Sequence, residues 1–146
     1  MKLARRNVPY VVDASVVAAA FFQDEQADAC RSVLVSKHTL HAPDLIYPET
    51  ANVIWKRRLR GEVTEQEAAE LLADVLRIPL CITPSGTLVD AALRLALKTE
   101  RTVYDCLYLA LAVQEKAVMV TGDQRLANAM AGGPLEKHIV WIGEED

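Results

Sequence analysis

Two short, uninterrupted apolar runs constrain the fold more than any other feature of this chain. Residues 10–12 and 118–120 carry only apolar side chains, without the polar alternation of a strand that has one face in water. Such runs are typical of strands that are covered on both faces. Longer segments with helical spacing lie between them. The alternation predicts an α/β fold, a three-layer α/β/α sandwich with a central parallel sheet of about five strands.

Periodicity and capping signals predict the remaining elements. Thr64 and Glu67 form a capping box that starts a helix, and Gly61 ends the preceding one. The predicted strands are residues 9–12, 40–42, 79–82, 118–121 and 138–142. The predicted helices are residues 14–22, 24–36, 44–60, 64–77, 83–98, 102–115 and 123–130.

Size and composition restrict the classes of protein that fit. The 146 residues suit a single domain, 1–146, in which residues 1–8 form an N-terminal extension. A hydrophobic fraction of 51% excludes global disorder, and no uncharged segment is long enough to span a bilayer. The apolar run at residues 8–12 is also too short for a secretory signal, so we expect a cytoplasmic protein. Its three cysteines are expected to be small buried thiols.

Four acidic residues are expected to meet at one edge of the sheet. Asp13 and Asp123 directly follow predicted strands, and the carboxyl ends of parallel strands share an edge, where ligand sites gather. Glu49 and Asp105 lie early in predicted helices, and Asp105 has apolar neighbours. Each acid taken alone could be a helix cap or an ordinary first-turn acid. Together they would repel one another, and a divalent cation would relieve the repulsion.

The donor atoms point to a hard metal ion. Carboxylate oxygens select Mg²⁺ or Mn²⁺, and neither the histidines nor the cysteines form a competing cluster. Such an ion lowers the pKa of bound water and stabilises charge on a phosphate. The residues therefore suggest metal-assisted phosphoryl chemistry.

Four sequence blocks resemble the motifs of PIN domains in order and approximate spacing. They are residues 11–17, 48–52, 104–112 and 120–126, and the closest likeness is to the VapC-type ribonuclease toxins of toxin–antitoxin pairs. The resemblance implies a Mg²⁺-dependent endoribonuclease, with Mn²⁺ able to substitute, that is a homodimer and is inhibited by a small antitoxin. By the same resemblance, Asp13 and Asp105 would hold the first metal, Glu49 and Asp123 would complete the site, and Ser15 would lie near the metal-bound water.

Basic residues near the acids are candidates for binding RNA. The densest basic run contains Lys56, Arg57, Arg58 and Arg60, at the end of the helix that carries Glu49. It could steer phosphates toward an otherwise acidic protein of net charge −4, or simply complement the helix dipole. Arg125 is a further candidate. Trp55 is expected to anchor the core or a dimer contact.

Three other functions remain as alternatives. The first is a catalytically silent PIN-like module that acts through an antitoxin or a regulatory complex. The second is a phosphate-accepting receiver domain, which would need paired acids after the first strand, where this chain has Ala14 and Ser15. The third is a phosphatase with an Asp-x-Asp motif, in which Ser15 would replace the second acid.

Overall fold

The protein folds into a five-stranded parallel sheet with helices on both faces, which confirms the predicted fold class. The structure, a computed structural model, describes residues 7–144; Lys2, Arg5 and Arg6 of the expected extension lie outside them. The strands are β1 Tyr10–Val12, β2 Leu40–Pro43, β3 Cys81–Thr83, β4 Val118–Thr121 and β5 Ile139–Trp141. The helices are α1 Ala14–Phe21, α2 Ala27–Leu34, α3 Ile46–Leu59, α4 Glu65–Leu76, α5 Val89–Thr99, α6 Val103–Gln114 and α7 Gln124–Met130.

The order of the strands creates a point where the chain reverses its direction of travel across the sheet. The spatial order is β3-β2-β1-β4-β5, and every neighbouring pair is parallel. From β1 the chain moves toward β3, whereas from β4 it moves toward β5. The connections that leave the carboxyl ends of β1 and β4 therefore run in opposite directions. This arrangement is a topological switch point, the usual place for a ligand site in an open α/β sheet. Asp13 and Asp123 follow these two strands.

The helices form two layers whose apolar faces bury the sheet. Helix α1 contacts α2 and α3, and α3 contacts α4, whereas α6 contacts α5 and packs on β1, β2 and β4. Right-handed crossovers place α1–α4 on one face and α5–α7 on the other. Strands β1 and β4 are buried along their whole length, as their apolar runs predict. Within residues 7–144, no helix is both long and apolar enough to cross a membrane.

The structure differs from the sequence predictions at several places. The helix predicted for residues 24–36 spans Ala27–Leu34, and the strand predicted for residues 79–82 spans Cys81–Thr83. The helix predicted for residues 83–98 begins only at Val89, after a 3₁₀ turn whose first residue, Ser85, donates backbone and hydroxyl hydrogen bonds to Asp44. Cys81 is exposed, so the prediction of three buried thiols is wrong for this residue. Trp55 is 56% exposed and does not anchor the core; its expected role in a dimer contact stays a prediction.

Candidate active site

Asp13 is the most constrained acid of the site. Its side chain is only 8% exposed, at the carboxyl end of β1. One carboxylate oxygen accepts hydrogen bonds from the Ser15 hydroxyl at 2.5 Å and from the Val16 backbone at 3.2 Å. The other accepts from the Thr121 hydroxyl at 2.5 Å. Three donors therefore hold this carboxylate in one orientation and partly compensate for its burial.

Thr121 and Gly122 connect Asp13 to the end of β4. The Thr121 hydroxyl donates to Asp13 and accepts from the backbone N–H of Asp123 at 3.0 Å. The Gly122 N–H donates to the Ser15 hydroxyl at 2.8 Å. A β-carbon at position 122 would lie 2.9 Å from that hydroxyl oxygen, so any larger residue here would displace the Ser15 hydroxyl from its hydrogen bonds. The two strand ends are thus joined by side-chain hydrogen bonds as well as by the sheet.

Glu49 is positioned by a tyrosine from the opposite layer. It lies in the first turn of α3, and the Tyr108 hydroxyl of α6 donates to its carboxylate at 2.7 Å. Tyr108 is three residues after Asp105, so both side chains lie on one face of α6. The hydrogen bond links the two helical layers across the site.

Asp105 and Asp123 both lie at helix starts. Thr102 caps α6 by accepting a hydrogen bond from the Asp105 N–H at 3.1 Å, which leaves the Asp105 carboxylate free of that capping role. The Asp123 carboxylate is the N-cap of α7 and accepts from the Leu126 N–H at 3.1 Å. The capping role expected for Asp123 is therefore confirmed, and it uses only one of the two carboxylate oxygens.

The four acids lie close enough to repel one another. Burial raises the pKa of Asp13, whose hydrogen bonds oppose the shift, and the charge of Asp105 raises it further. Burial also raises the pKa of Glu49, with added repulsion from Asp13 and Asp105. The pKa of Asp105 is raised by burial and then by Asp123. Asp105 therefore lies close enough to interact with the charges of the other three acids, while the joint role of the four as a metal site stays a prediction.

The donor set suits a hard divalent cation, although the side chains do not enclose an ion by themselves. Among residues 7–144, no three histidine, cysteine, aspartate or glutamate side chains form a group able to hold a metal ion as they stand. Mg²⁺ ordinarily uses one or two carboxylates and keeps several waters, so it does not require a closed protein cage. A cation would also offset the charge repulsion that adds to burial in raising the three carboxyl pKa values.

The basic residues differ in how much of their charge is available. Arg57 is occupied: its guanidinium donates to Asp24 at 2.7 Å and to Glu62 at 3.0 Å, and it lies over the Phe22 ring. These contacts tie α3 to the turn after α1 and to the start of α4. The other candidates are exposed, namely Lys56, Arg58, Arg60 and Arg125.

Two residues that position the acids were not predicted as site residues. Thr121 was placed in a buried strand, and Tyr108 was placed in an apolar helix. Each carries a hydroxyl in a buried segment, and a buried hydroxyl needs a partner. That signal could have marked both residues, although it could not have named Asp13 and Glu49 as their partners.

Comparisons with known proteins show which family and fold the chain resembles. A family model described as PIN domain matches residues 10–131. Ribonuclease VapC3 of Pyrobaculum aerophilum is 34% identical over 119 residues, which cover 80% of this chain and 91% of that protein. The crystal structure of PAE2754 from the same organism has a TM-score of 0.67 at 27% identity, covering 93% of this chain and 85% of that one. A toxin–antitoxin complex from Klebsiella pneumoniae has a TM-score of 0.60 at 14% identity, covering 93% and 99%, and shows a shared fold.

Proposed function

Since the chain belongs to the PIN-domain family, we propose that it is a metal-dependent endoribonuclease of the VapC toxin type. The observation that carries this proposal is the placement of Asp13 and Asp123 at the carboxyl ends of the neighbouring strands β1 and β4, with Asp105 close enough for its charge to act on Asp13 and Glu49 and to feel that of Asp123. A relative named as a ribonuclease, aligned over most of both chains, supports the same activity. The cytoplasm, where RNA is made and used, is the expected place of action.

We assign the acids to holding Mg²⁺, or Mn²⁺ in its place. Asp13 and Asp105 would be direct ligands, and Glu49 and Asp123 would complete the site. When bound, the ion supplies a water of lowered pKa and positive charge opposite the scissile phosphate. The chain's own hydroxyls orient the acids: Ser15 and Thr121 hold Asp13, and Tyr108 holds Glu49.

Exposed cations would guide RNA to this acidic edge. Four basic residues form no ion pair within residues 7–144, namely Lys56, Arg58, Arg60 and Arg125. Long-range attraction of this kind raises association rates and falls with added salt. Arg57 is a weaker candidate because its guanidinium is already bound by two carboxylates.

We propose that an antitoxin segment occupies the apolar groove between α3 and α4. This groove has a volume of about 290 Å³ and is lined in part by Ile54, Trp55 and Leu72. Helix α3 carries both the groove and Glu49, but at 3.6 residues per turn Ile54 and Trp55 lie on the opposite side of the helix from Glu49. A segment bound in the groove would therefore block the acids only by continuing around α3. An amphipathic helix is the kind of segment that fits such a groove.

A second copy of the chain is the proposed partner of α5. Val89, Leu93 and Leu97 are exposed at a spacing of four residues and form a stripe along this helix. A stripe of this kind can pair with its own copy in a two-fold dimer. Light scattering of the protein with Leu93→Glu tests this, since a dimer that uses α5 should become monomeric while the fold is retained.

The deciding experiment is cleavage of a mixed RNA pool by purified, antitoxin-free protein. Cutting is expected with Mg²⁺ or Mn²⁺ and should be lost with EDTA and in Asp13→Asn. Asp28→Asn, which changes an exposed acid on α2, is the matched control and should cut like the native protein. Absence of metal-dependent cutting by the folded native protein, together with absence of Mn²⁺ binding in calorimetry, would favour a catalytically silent interaction module.

A further inference from the structure

A cavity of about 630 Å³ lies between α7 and β5, outside the acid cluster. Its volume is in the range of small-molecule sites in proteins. Its lining includes the Trp141 ring and the side chains of Gln124, Asn128 and Lys137. None of these residues has a role in the site described above.

One end of the cavity lies at the edge of the sheet that carries the acids, since its lining runs from Gln124 and Trp141 at that edge to Lys137 at the opposite edge. Trp141 is the last residue of β5 and pairs in register with Thr121, whose hydroxyl holds Asp13. Gln124 directly follows Asp123. Two strand spacings separate the end of β5 from the end of β1, which is about 10 Å. A nucleotide next to a phosphate held at the acids can therefore reach the cavity.

The lining suits an uncharged, planar, polar-edged ligand. The Gly143 backbone lies against the Trp141 indole so closely that a β-carbon there would be 2.3 Å from the ring, which holds the ring in place. Gln124 and Asn128 each offer an amide with both donors and an acceptor. The charges around the cavity are the carboxylates of Glu136 and Glu144 and the ammonium of Lys137, a balance that does not favour a phosphate.

We propose that this cavity binds one unstacked base of the RNA, stacked on Trp141 and hydrogen-bonded by Gln124 and Asn128. Recognition of splayed bases by aromatic rings and amides is the usual way in which proteins read single-stranded RNA. The inference rests on the proposed function, because RNA must cross the acids for a neighbouring base to enter. If the proposal is correct, this cavity selects the base at one position of the RNA, next to the phosphate that is cleaved.

The chain allows a site-specific optical test, because it contains only two tryptophans, Trp55 and Trp141. In the full-length Trp55→Phe variant, Trp141 is the sole indole, and titration with single-stranded RNA oligonucleotides should quench its fluorescence saturably. Adding Asn128→Ala or Gln124→Ala should weaken that binding about three- to ten-fold. Gln114→Ala removes an exposed amide at the far end of α6 and is the matched control, expected to leave the affinity unchanged.

A second measurement uses labelled RNA and the protein with native Trp55. Trp141→Leu should weaken binding about ten-fold, the effect of losing one base stack, while the far-ultraviolet spectrum stays native. Metal-dependent RNA cutting without quenching of Trp141 would overturn the cavity proposal and leave the nuclease proposal standing. Saturable quenching that Asn128→Ala weakens would support it even if no cutting is seen. Equal quenching by inorganic phosphate alone would overturn it.

Discussion

The hydroxyl of Thr121 is predicted to stabilise the fold by holding an ionised Asp13. Thr121 is fully buried, and its hydroxyl donates to the Asp13 carboxylate at 2.5 Å while accepting from the Asp123 N–H at 3.0 Å. Thr121→Val keeps the shape of the side chain and removes both hydrogen bonds. The expected result is a less stable protein in which the carboxylate has lost one of its three donors.

The magnitude follows from the charge on the acceptor. A hydrogen bond to a charged group contributes about 1.5–3 kcal/mol to stability, and the partner left behind stays buried. We therefore expect Thr121→Val to lower the free energy of unfolding by about 2 kcal/mol. For a domain of this size, that corresponds to a fall in Tm of about 4–8 °C.

The measurement is urea unfolding with EDTA at a series of pH values that rises until the difference between Thr121→Val and the native protein no longer changes; this plateau is the higher pH of the comparison. The Thr121 hydrogen bond lowers the pKa of Asp13, so its removal raises that pKa further. The loss of stability should be full at pH values well above the raised pKa, where Asp13 is ionised. It should shrink as the pH falls through that pKa, because the folded variant then takes up a proton.

Thr50 supplies a matched control. It is also fully buried, and its hydroxyl oxygen has no hydrogen-bond partner among residues 7–144. Thr50→Val should leave stability unchanged or raise it by about 1 kcal/mol, because it removes an unsatisfied buried polar group. Equal stability of Thr121→Val and Thr50→Val at the higher pH would refute the reasoning.

Three further predictions concern charge at and near the site. In EDTA, the raised carboxyl pKa values mean that the folded protein binds more protons than the unfolded chain. These groups therefore make the free energy of unfolding fall as the pH rises above about 4. Thermal unfolding at neutral pH should show that Mn²⁺ restores stability in the native protein and not in Asp13→Asn. Tyr108→Phe should raise the pKa of Glu49 by removing a hydrogen bond that lowers it, which carboxyl NMR of the metal-free protein would detect as a titration at higher pH; an unchanged titration would contradict the geometry. Arg57→Met should lower the free energy of unfolding by about 1–2 kcal/mol and have little effect on the salt dependence of RNA binding. Arg58→Gln should flatten that salt dependence without lowering stability. The reverse result in denaturation and binding assays would show that the two residues have exchanged roles.

Strands and helix caps could be predicted where they depend only on residues close together in the sequence. The apolar runs of β1 and β4, the Thr64–Glu67 capping box and the Asp123 cap all depend on residues within a few positions of one another, and the structure contains each of them. The helix start near residue 84 could not be predicted in this way. A 3₁₀ turn precedes the helix, and its first residue, Ser85, hydrogen-bonds to Asp44 across 41 positions, a contact that no local pattern indicates.

The sequence by itself was enough to predict the fold class and to select the four acids as candidate site residues. Strand periodicity, the residues that follow each strand and the order of the motifs can all be read directly from the sequence. Only the tertiary structure decided that β1 lies beside β4, since strand order depends on crossovers that leave no local signal. That neighbourhood brings Thr121 to Asp13 across 108 positions and Tyr108 to Glu49 across 59. The tertiary structure also decided that Arg57 stabilises the fold rather than remaining free to bind RNA. Packing places the carboxylates of Asp24 and Glu62 beside its guanidinium, and no local pattern indicates those contacts.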